Sequence, residues 1–120
     1  MPMFYKTPAE ANDVLPPKIA PAAFLGDCMT TTDTDPEHTL TSGFYKQVAG
    51  EPLVYTYPFD EMKVCLEVKG EMIITDEVGT SIKPKRGDVL YFKKNSTITF
   101  EAIGEGSYGH FFYTGLKVMS

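Results

Sequence analysis

The sequence predicts an all-β protein, a single small antiparallel β-barrel of the jelly-roll type with an N-terminal arm. Alternation of apolar and polar residues dominates the chain, whereas the 3.6-residue periodicity of helices is nearly absent. Short apolar segments are separated at even intervals by turns rich in Gly and Asp, which is typical of antiparallel sandwiches and barrels. The 120 residues suffice for one domain with one core. We assign residues 1–22 to the arm and residues 23–120 to the barrel.

The arm is rich in proline. Pro16, Pro17 and Pro21 exclude a regular helix or a central strand around them, because proline lacks a backbone donor and restricts its neighbours. The segment Thr7-Pro-Ala-Glu10 predicts one short helical turn, since threonine caps helices and proline suits their first position. Such an arm cannot fold alone, so we expect it to lie across the barrel or across a partner subunit.

The barrel is predicted to contain short strands that end at glycine-, aspartate- or lysine-rich turns. The predicted strands are 23–29, 39–48, 52–57, 61–68, 71–75, 80–83, 89–92, 97–103 and 108–117. The predicted breaks between them are 33–37, 49–51, 76–79, 85–88 and 104–106.

Composition and charge exclude several classes of protein. Hydrophobic residues make up 42% and charged residues 22% of the chain, which is a globular composition. The net charge of −5 argues against a nucleic-acid partner. No apolar run approaches the roughly 20 residues of a membrane span, and no signal peptide is recognisable, so we expect a cytoplasmic protein with no membrane partner. In that compartment Cys28 and Cys65 are predicted to be buried thiols, with a catalytic Cys65 as a weaker alternative.

Two segments share an unusual spacing of glycines and polar residues. The first has Gly50, four residues, Tyr55-Thr-Tyr57, three residues and Glu61; the second has Gly87, ten residues and then Ile98. This layout resembles the two cupin motifs, in which three histidines and a glutamate hold a metal ion. By this resemblance the glutamate is kept, and Tyr55, Tyr57 and Ile98 occupy the histidine positions. The resemblance implies a cupin barrel, and the donors argue against a tightly bound metal.

The segment from Tyr55 to Phe112 resembles one branch of this superfamily, the ethanolamine-utilisation Q-type (EutQ-like) cupins. The resemblance is carried by Tyr-Pro-Phe-Asp-Glu, Gly-Glu-Met-Ile-Ile-Thr-Asp-Glu, Lys-Arg-Gly-Asp-Val-Leu-Tyr-Phe and Ser-Thr-Ile-Thr-Phe. It covers about half of the chain and implies the fold rather than the reaction, because function resides in the site. Val68 and Lys69, two extra residues before Gly70, are predicted to lengthen a strand or to form a β-bulge.

A polar interior follows from strand alternation. Tyr55 and Tyr57 share one face of a strand, and the motif resemblance directs that face and Glu61 into the barrel. If the strand continues regularly, Lys63, Cys65 and Glu67 follow on the same face. Burial raises the pKa of a carboxyl group and lowers that of a lysine, so a buried pair of this kind suits proton transfer near neutral pH.

We therefore predict a metal-independent acid–base enzyme that acts on a small oxygen-containing organic molecule beside a carbonyl group, as isomerases, lyases, cyclases and decarboxylases do. Glu61 is the predicted proton exchanger and Lys63 its partner, while the phenols of Tyr55 and Tyr57 are hydrogen-bond donors to an oxyanion. His110 is a reserve acid or base if its strand directs it inward, and strand parity leaves that open. No cofactor is predicted.

Two alternatives remain open. The chain can be a non-catalytic ligand-binding or assembly cupin that has lost its metal, in which the tyrosines fill the barrel and Glu61 is paired with Lys63. It can also be a metal-dependent cupin that uses His110 and Glu61, although two protein ligands make a weak site. In every case we expect a homodimer, because an exposed sheet edge needs covering and the arm can serve as a strap.

Overall fold

The computed structural model describes residues 3–11, 17–32 and 37–118 of the chain. These residues form one short helix and eight strands, and the prediction of an all-β jelly roll with an N-terminal arm is confirmed. The elements are α1 (Pro8–Ala11), β1 (Lys18–Ala20), β2 (Ala23–Thr30), β3 (His38–Val48), β4 (Leu53–Thr56), β5 (Glu61–Asp76), β6 (Ser81–Ile82), β7 (Val89–Phe92) and β8 (Thr97–Val118). No helix among the described residues is long and apolar enough to cross a membrane.

Two long strands, β5 and β8, pair antiparallel along most of their length and connect two layers of sheet. The first half of β5 and the second half of β8 lie in a layer with β1, β2, β3 and β7. Their other halves lie in a layer with β4 and β6. The core lies between the layers, where the rings of Tyr45 and Phe100 meet edge to face at 5.3 Å.

The predicted break at residues 104–106 is wrong, and so is the division of 61–75 into two strands. Both segments are continuous strands that bend where glycines adopt positive φ, at Gly70 (72°), Gly104 (99°) and Gly106 (80°). Residues with side chains rarely adopt these angles, so the glycines let the ladder turn a corner without ending. Val68 and Lys69, predicted to lengthen a strand or to form a β-bulge, are both paired within β5, and the register against β8 shifts just after them, between Lys69 and Glu71.

The predicted helical turn at residues 7–10 and the absence of a central strand near the prolines are confirmed for the described part of the arm. Thr7 and Glu10 cap α1 reciprocally: the Glu10 amide donates to Thr7 Oγ1 at 3.4 Å, and the Thr7 amide donates to Glu10 Oε1 at 3.3 Å. Strand β1 pairs with β2 alone, so it is an edge strand, as the surrounding prolines require. Pro16 lies outside the described residues.

Candidate active site

A small cavity of about 50 Å³ lies between the two layers, near the β1 edge. Its wall is mostly aromatic and aliphatic, with one carboxylate and one ammonium group. The lining residues are Ile19, Leu25, Tyr45, Leu53, Tyr55, Tyr57, Phe59, Glu61, Lys63, Phe100 and Tyr113. Four of the five predicted site residues are therefore brought together here.

Glu61 and Lys63 form a buried ion pair in the wall of this cavity. Their side chains are 4% and 2% exposed, and Lys63 Nζ lies 2.8 Å from Glu61 Oε2. Both side chains project from the first half of β5. This half pairs with β7 on one side and with β8 on the other, so the neighbouring strands exclude water from both sides. Glu61 Oε2 makes no hydrogen bond of good geometry to a described residue. This oxygen is therefore held mainly by the charge of the Lys63 ammonium, with which it can exchange a proton.

Three aromatic rings surround the ammonium group of Lys63, and we call them the aromatic cage. Nζ lies 4.8 Å from the ring centre of Tyr113, 4.9 Å from that of Tyr45 and 5.7 Å from that of Phe100. Such cation–π contacts contribute up to about 2 kcal/mol each when the cation is desolvated. Burial nevertheless lowers the pKa of the Lys63 ammonium, while the charge of Glu61 opposes that shift.

The two predicted phenols differ in position. Tyr57 is buried and stacks on Phe92 with ring centres 5.2 Å apart. Burial, reinforced by the charge of Glu61 and a hydrogen bond to it, raises the pKa of the Tyr57 phenol, so it stays protonated and can act only as a neutral donor or acceptor. Tyr55 is 37% exposed and meets the Tyr57 ring edge to face at 4.8 Å, which places it at the cavity mouth.

The sequence did not predict the aromatic cage, nor the side chains that accept hydrogen bonds from its two tyrosines. The Tyr113 hydroxyl donates to Asp27 Oδ1 at 2.5 Å, and the Tyr45 hydroxyl donates to Gln47 Oε1. Burial, followed by the hydrogen bond to Asp27, raises the pKa of the Tyr113 phenol. The inward positions of β3 and β8 could have been found only from strand parity. Both faces of β8 carry aromatic residues, and this hides the parity.

Cys65 and Glu67 separate at a β-bulge. Cys65 is buried on the inward face, and burial raises the pKa of its thiol, which disfavours the thiolate that a nucleophile requires. The prediction that Glu67 faces the interior is wrong. The register of β5 shifts between these two residues, and Glu67 is exposed, where it accepts a 2.5 Å hydrogen bond from the Tyr108 hydroxyl. A bulge reverses strand parity, so alternation from Glu61 does not extend past it.

His110 lies on the opposite face of the sheet from the cavity. The inward positions of β8 around it are Phe111 and Tyr113, and the imidazole packs against Phe44 with ring centres 5.8 Å apart. Its backbone is opposite Lys46 on β3 and Glu67 on β5. Burial and the charge of Lys46 lower the pKa of His110. The orientation that parity left open is therefore outward, away from Glu61, so His110 is not placed to serve as reserve acid in this cavity.

The groups at the cupin metal positions do not fit a divalent metal ion. The pKa values of the Tyr55 and Tyr57 phenols are raised, so both stay protonated and are poor metal ligands. Ile98 is a buried aliphatic side chain, and Glu61 is already paired with an ammonium group. Among the described residues no group of three or more His, Cys, Asp or Glu side chains is gathered as a metal site would require. The metal alternative built on His110 and Glu61 is not supported, because β8 directs the imidazole to the other face.

Comparison with known proteins finds likeness at the level of structure. No family profile matches the sequence, and no curated protein matches it significantly. An ethanolamine-utilisation protein Q from Salmonella typhimurium LT2 is 27% identical, with a TM-score of 0.61, over 81% of this chain and 71% of that one. An RmlC-like cupin with a double-stranded β-helix fold from Methanocaldococcus jannaschii is 19% identical, with a TM-score of 0.61, over 89% and 92%.

Enzymes share the architecture as well. The polyketide cyclase RemF from Streptomyces resistomycificus is 13% identical, with a TM-score of 0.70, over 95% of this chain and 79% of that one. At this identity the likeness concerns the fold, and fold by itself does not carry a reaction. The chain has the cupin fold, and over most of its length it resembles the ethanolamine-utilisation Q proteins.

Proposed function

We propose that the protein is an acid–base enzyme that moves a proton next to the carbonyl group of a small organic substrate. One observation carries this proposal: an ion pair with side chains 4% and 2% exposed lines an aromatic cavity instead of the protein surface. Burying two charges costs several kcal/mol per ion, and an apolar pair of similar volume is often as stable or more so. Retention of such a pair in a cavity is more typical of a reaction site than of a barrel core.

The roles follow from chemistry and position. Glu61 is the carboxylate of the cavity wall and is paired with the Lys63 ammonium, so it is the proposed base that removes the proton from the carbon beside the carbonyl. The Tyr57 phenol, which stays protonated, is the proposed donor to the enolate oxygen. The Lys63 ammonium balances the negative charge that develops, in a setting of low dielectric where this interaction is strong. Tyr55, at the mouth of the cavity, is the proposed first contact of the entering substrate.

Glu61→Gln provides the direct test. We expect the variant to lower the rate of proton exchange by about 10²-fold, the usual contribution of a general base, because glutamine keeps the shape and cannot ionise. The readout is incorporation of deuterium from heavy water beside the carbonyl of small aldehydes and ketones, followed by NMR. Tyr57→Phe is expected to cost less, about the free energy of one hydrogen bond to the transition state.

Each variant is compared with the wild type at equal folded fraction, measured by circular dichroism. If Glu61→Gln leaves exchange unchanged and lowers only the melting temperature, Glu61 is structural and the acid–base proposal fails. The non-catalytic alternative, a cupin that binds a ligand or assembles with a partner, would then lead. The volume of the cavity, about 50 Å³, limits a substrate and a non-reacting ligand alike to a few non-hydrogen atoms.

We also propose that the protein is a homodimer joined through its arm. Met3, Phe4 and Tyr5 are 72%, 65% and 75% exposed, an unusual run of apolar side chains in solvent. Phe4 and Tyr5 border a groove of about 780 Å³ over the outer face of β2, β3 and β8. A second copy can bury both the run and the groove, in the isologous way that two-fold dimers do.

Sedimentation velocity tests the dimer at micromolar concentration. We expect a dimer for the wild type and a shift toward monomer for Phe4→Ser combined with Tyr5→Ser. Val78→Ser is the control, since Val78 is 81% exposed in the β5–β6 turn and does not line this groove. A wild-type monomer, or equal behaviour of the two variants, would count against the arm as the contact.

A further inference from the structure

Lys63 differs from every other lysine whose side chain the structure describes. It alone is buried, and it lines a cavity instead of facing bulk water. A carboxylate lies 2.8 Å away to take its proton, and three rings surround the nitrogen. Lysines in this type of setting are the ones that act as nucleophiles toward carbonyl groups.

We propose that Lys63 forms a covalent imine with a small aldehyde or ketone bound in the cavity. The inference rests on the proposed function in placing a carbonyl substrate at this site, and it adds the class of substrate and the covalent step. Imine formation makes Lys63 itself the electron sink for proton removal, because an iminium group withdraws electrons from the neighbouring carbon more strongly than a carbonyl group does.

The step balances with the two side chains alone. The Lys63 ammonium gives a proton to Glu61, and the freed lone pair attacks the carbonyl carbon while the C=O π electrons move to oxygen. The oxygen takes this first proton back from Glu61, and the nitrogen of the adduct then gives a second proton to the freed Glu61 carboxylate, which yields a neutral carbinolamine. The C–O bond then breaks as Glu61 returns this second proton to that oxygen, water leaves, and the nitrogen lone pair forms the C=N bond of a cationic iminium.

The aromatic cage explains why the product would be stable. The iminium carries the same single positive charge as the ammonium it replaces, at nearly the same place. The rings of Tyr45, Phe100 and Tyr113, 4.8 to 5.7 Å from Nζ, can therefore hold either cation. Glu61 remains its counter-ion. Covalent attachment needs no new charged partner in the cavity.

The volume of the cavity limits the size of the carbonyl compound. One water needs about 10–15 Å³ on this measure, so a cavity of about 50 Å³ holds the equivalent of three to five waters. That space suits an aldehyde or ketone with about three to five non-hydrogen atoms. Glycolaldehyde, a small hydroxyaldehyde whose hydroxyl can bond the phenols, is the probe of choice.

The test traps the imine in the intact, full-length protein. Wild-type protein is incubated with glycolaldehyde and sodium cyanoborohydride, which reduces an iminium to a stable secondary amine, and the modified position is mapped by peptide mass spectrometry. We expect one adduct per chain, on Lys63, formed at least 10-fold faster than on the exposed Lys18 and Lys83. Lys63→Arg keeps the charge but cannot form this imine, and it should abolish the adduct while the exposed lysines react as before.

The pH dependence of trapping gives a second readout, because Lys63 and the exposed lysines are compared in the same sample. An ammonium group cannot attack a carbonyl, so trapping rises as each lysine loses its proton. Burial lowers the pKa of Lys63, and the titratable groups that share its cavity are Glu61, Tyr45, Tyr55, Tyr57 and Tyr113. The pKa of each of the four phenols is raised, so they stay neutral and we expect Lys63 to react at lower pH than Lys18 or Lys83.

The outcomes separate this inference from the proposed function. Modification of exposed lysines without Lys63 would overturn the imine, even if deuterium exchange is observed and depends on Glu61. An adduct on Lys63 without deuterium exchange would support the imine and refute the proton-transfer role of Glu61. Both signals, each lost in Lys63→Arg, would place covalent and acid–base steps at one site.

Discussion

Lys63→Met is expected to lower the free energy of unfolding by about 3–5 kcal/mol, the usual cost of removing one partner of a buried ion pair. Methionine has nearly the volume of the lysine stem, so the packing against the aromatic cage is largely kept. What changes is charge: the carboxylate of Glu61 stays 4% exposed with its counter-ion gone. Chemical denaturation at neutral pH, followed by circular dichroism, measures the loss.

A matched surface pair and a double variant serve as controls. Lys83 and Glu71 also form an ion pair, at 3.4 Å, but their side chains are 68% and 44% exposed. Lys83→Met should therefore cost less than about 1 kcal/mol. Adding Glu61→Gln to Lys63→Met removes the unpaired charge and should restore part of the stability. If Lys63→Met costs no more than Lys83→Met, the buried pair does not stabilise the fold in the way its geometry implies.

Gly43→Ala is expected to cost about 3 kcal/mol of stability, at the upper end for overpacked cores. A Cβ at Gly43 would lie 2.1 Å from the carbonyl oxygen of Gly26 and 2.6 Å from the hydroxyl of Tyr113. The Gly26 oxygen belongs to the backbone of the paired strand β2. The clash can therefore be relieved only if β2 and β3 shift relative to each other. The Tyr113 hydroxyl belongs to the aromatic cage, so the variant should also slow the trapping of an imine at Lys63.

Gly79→Ala is the matched control for this substitution. Gly79 has a φ of 92°, and a Cβ added there meets nothing within 4 Å. Only backbone strain of about 1–2 kcal/mol should appear, with no effect on the cavity. Thermal and chemical unfolding of the two variants give the comparison. Equal losses would mean that β2 and β3 can separate at Gly43, and the close approach would not restrain the cage.

The sequence was sufficient for those parts of the site that depend on local spacing. Strand alternation and the resemblance to the cupin motifs directed Tyr57, Glu61 and Lys63 inward, and all three line one cavity. The extra residues before Gly70 predicted a longer strand or a bulge, and the register of β5 shifts directly after them. These predictions hold because a period of two, once anchored at one inward residue, determines its neighbours within a regular strand.

What lay beyond local spacing was decided by the tertiary structure. The bulge after Cys65 turns Glu67 to solvent, and the register of β8 turns His110 to the outer face. Neither orientation can be predicted from alternation, because a register shift of one residue exchanges the two faces of a strand. In β8 both faces also carry aromatic residues, so the pattern does not show which face is inward.

By itself, then, the sequence determined an all-β jelly roll with a carboxylate and an amine two residues apart on one inward strand face. Only the tertiary structure decided what surrounds the amine. Tyr45 comes from β3, while Phe100 and Tyr113 come from two halves of β8 that belong to different layers. Their meeting at Lys63 depends on how β8 bends at its glycines and how the layers face each other. Contacts between residues so distant along the chain leave no periodic signal in it.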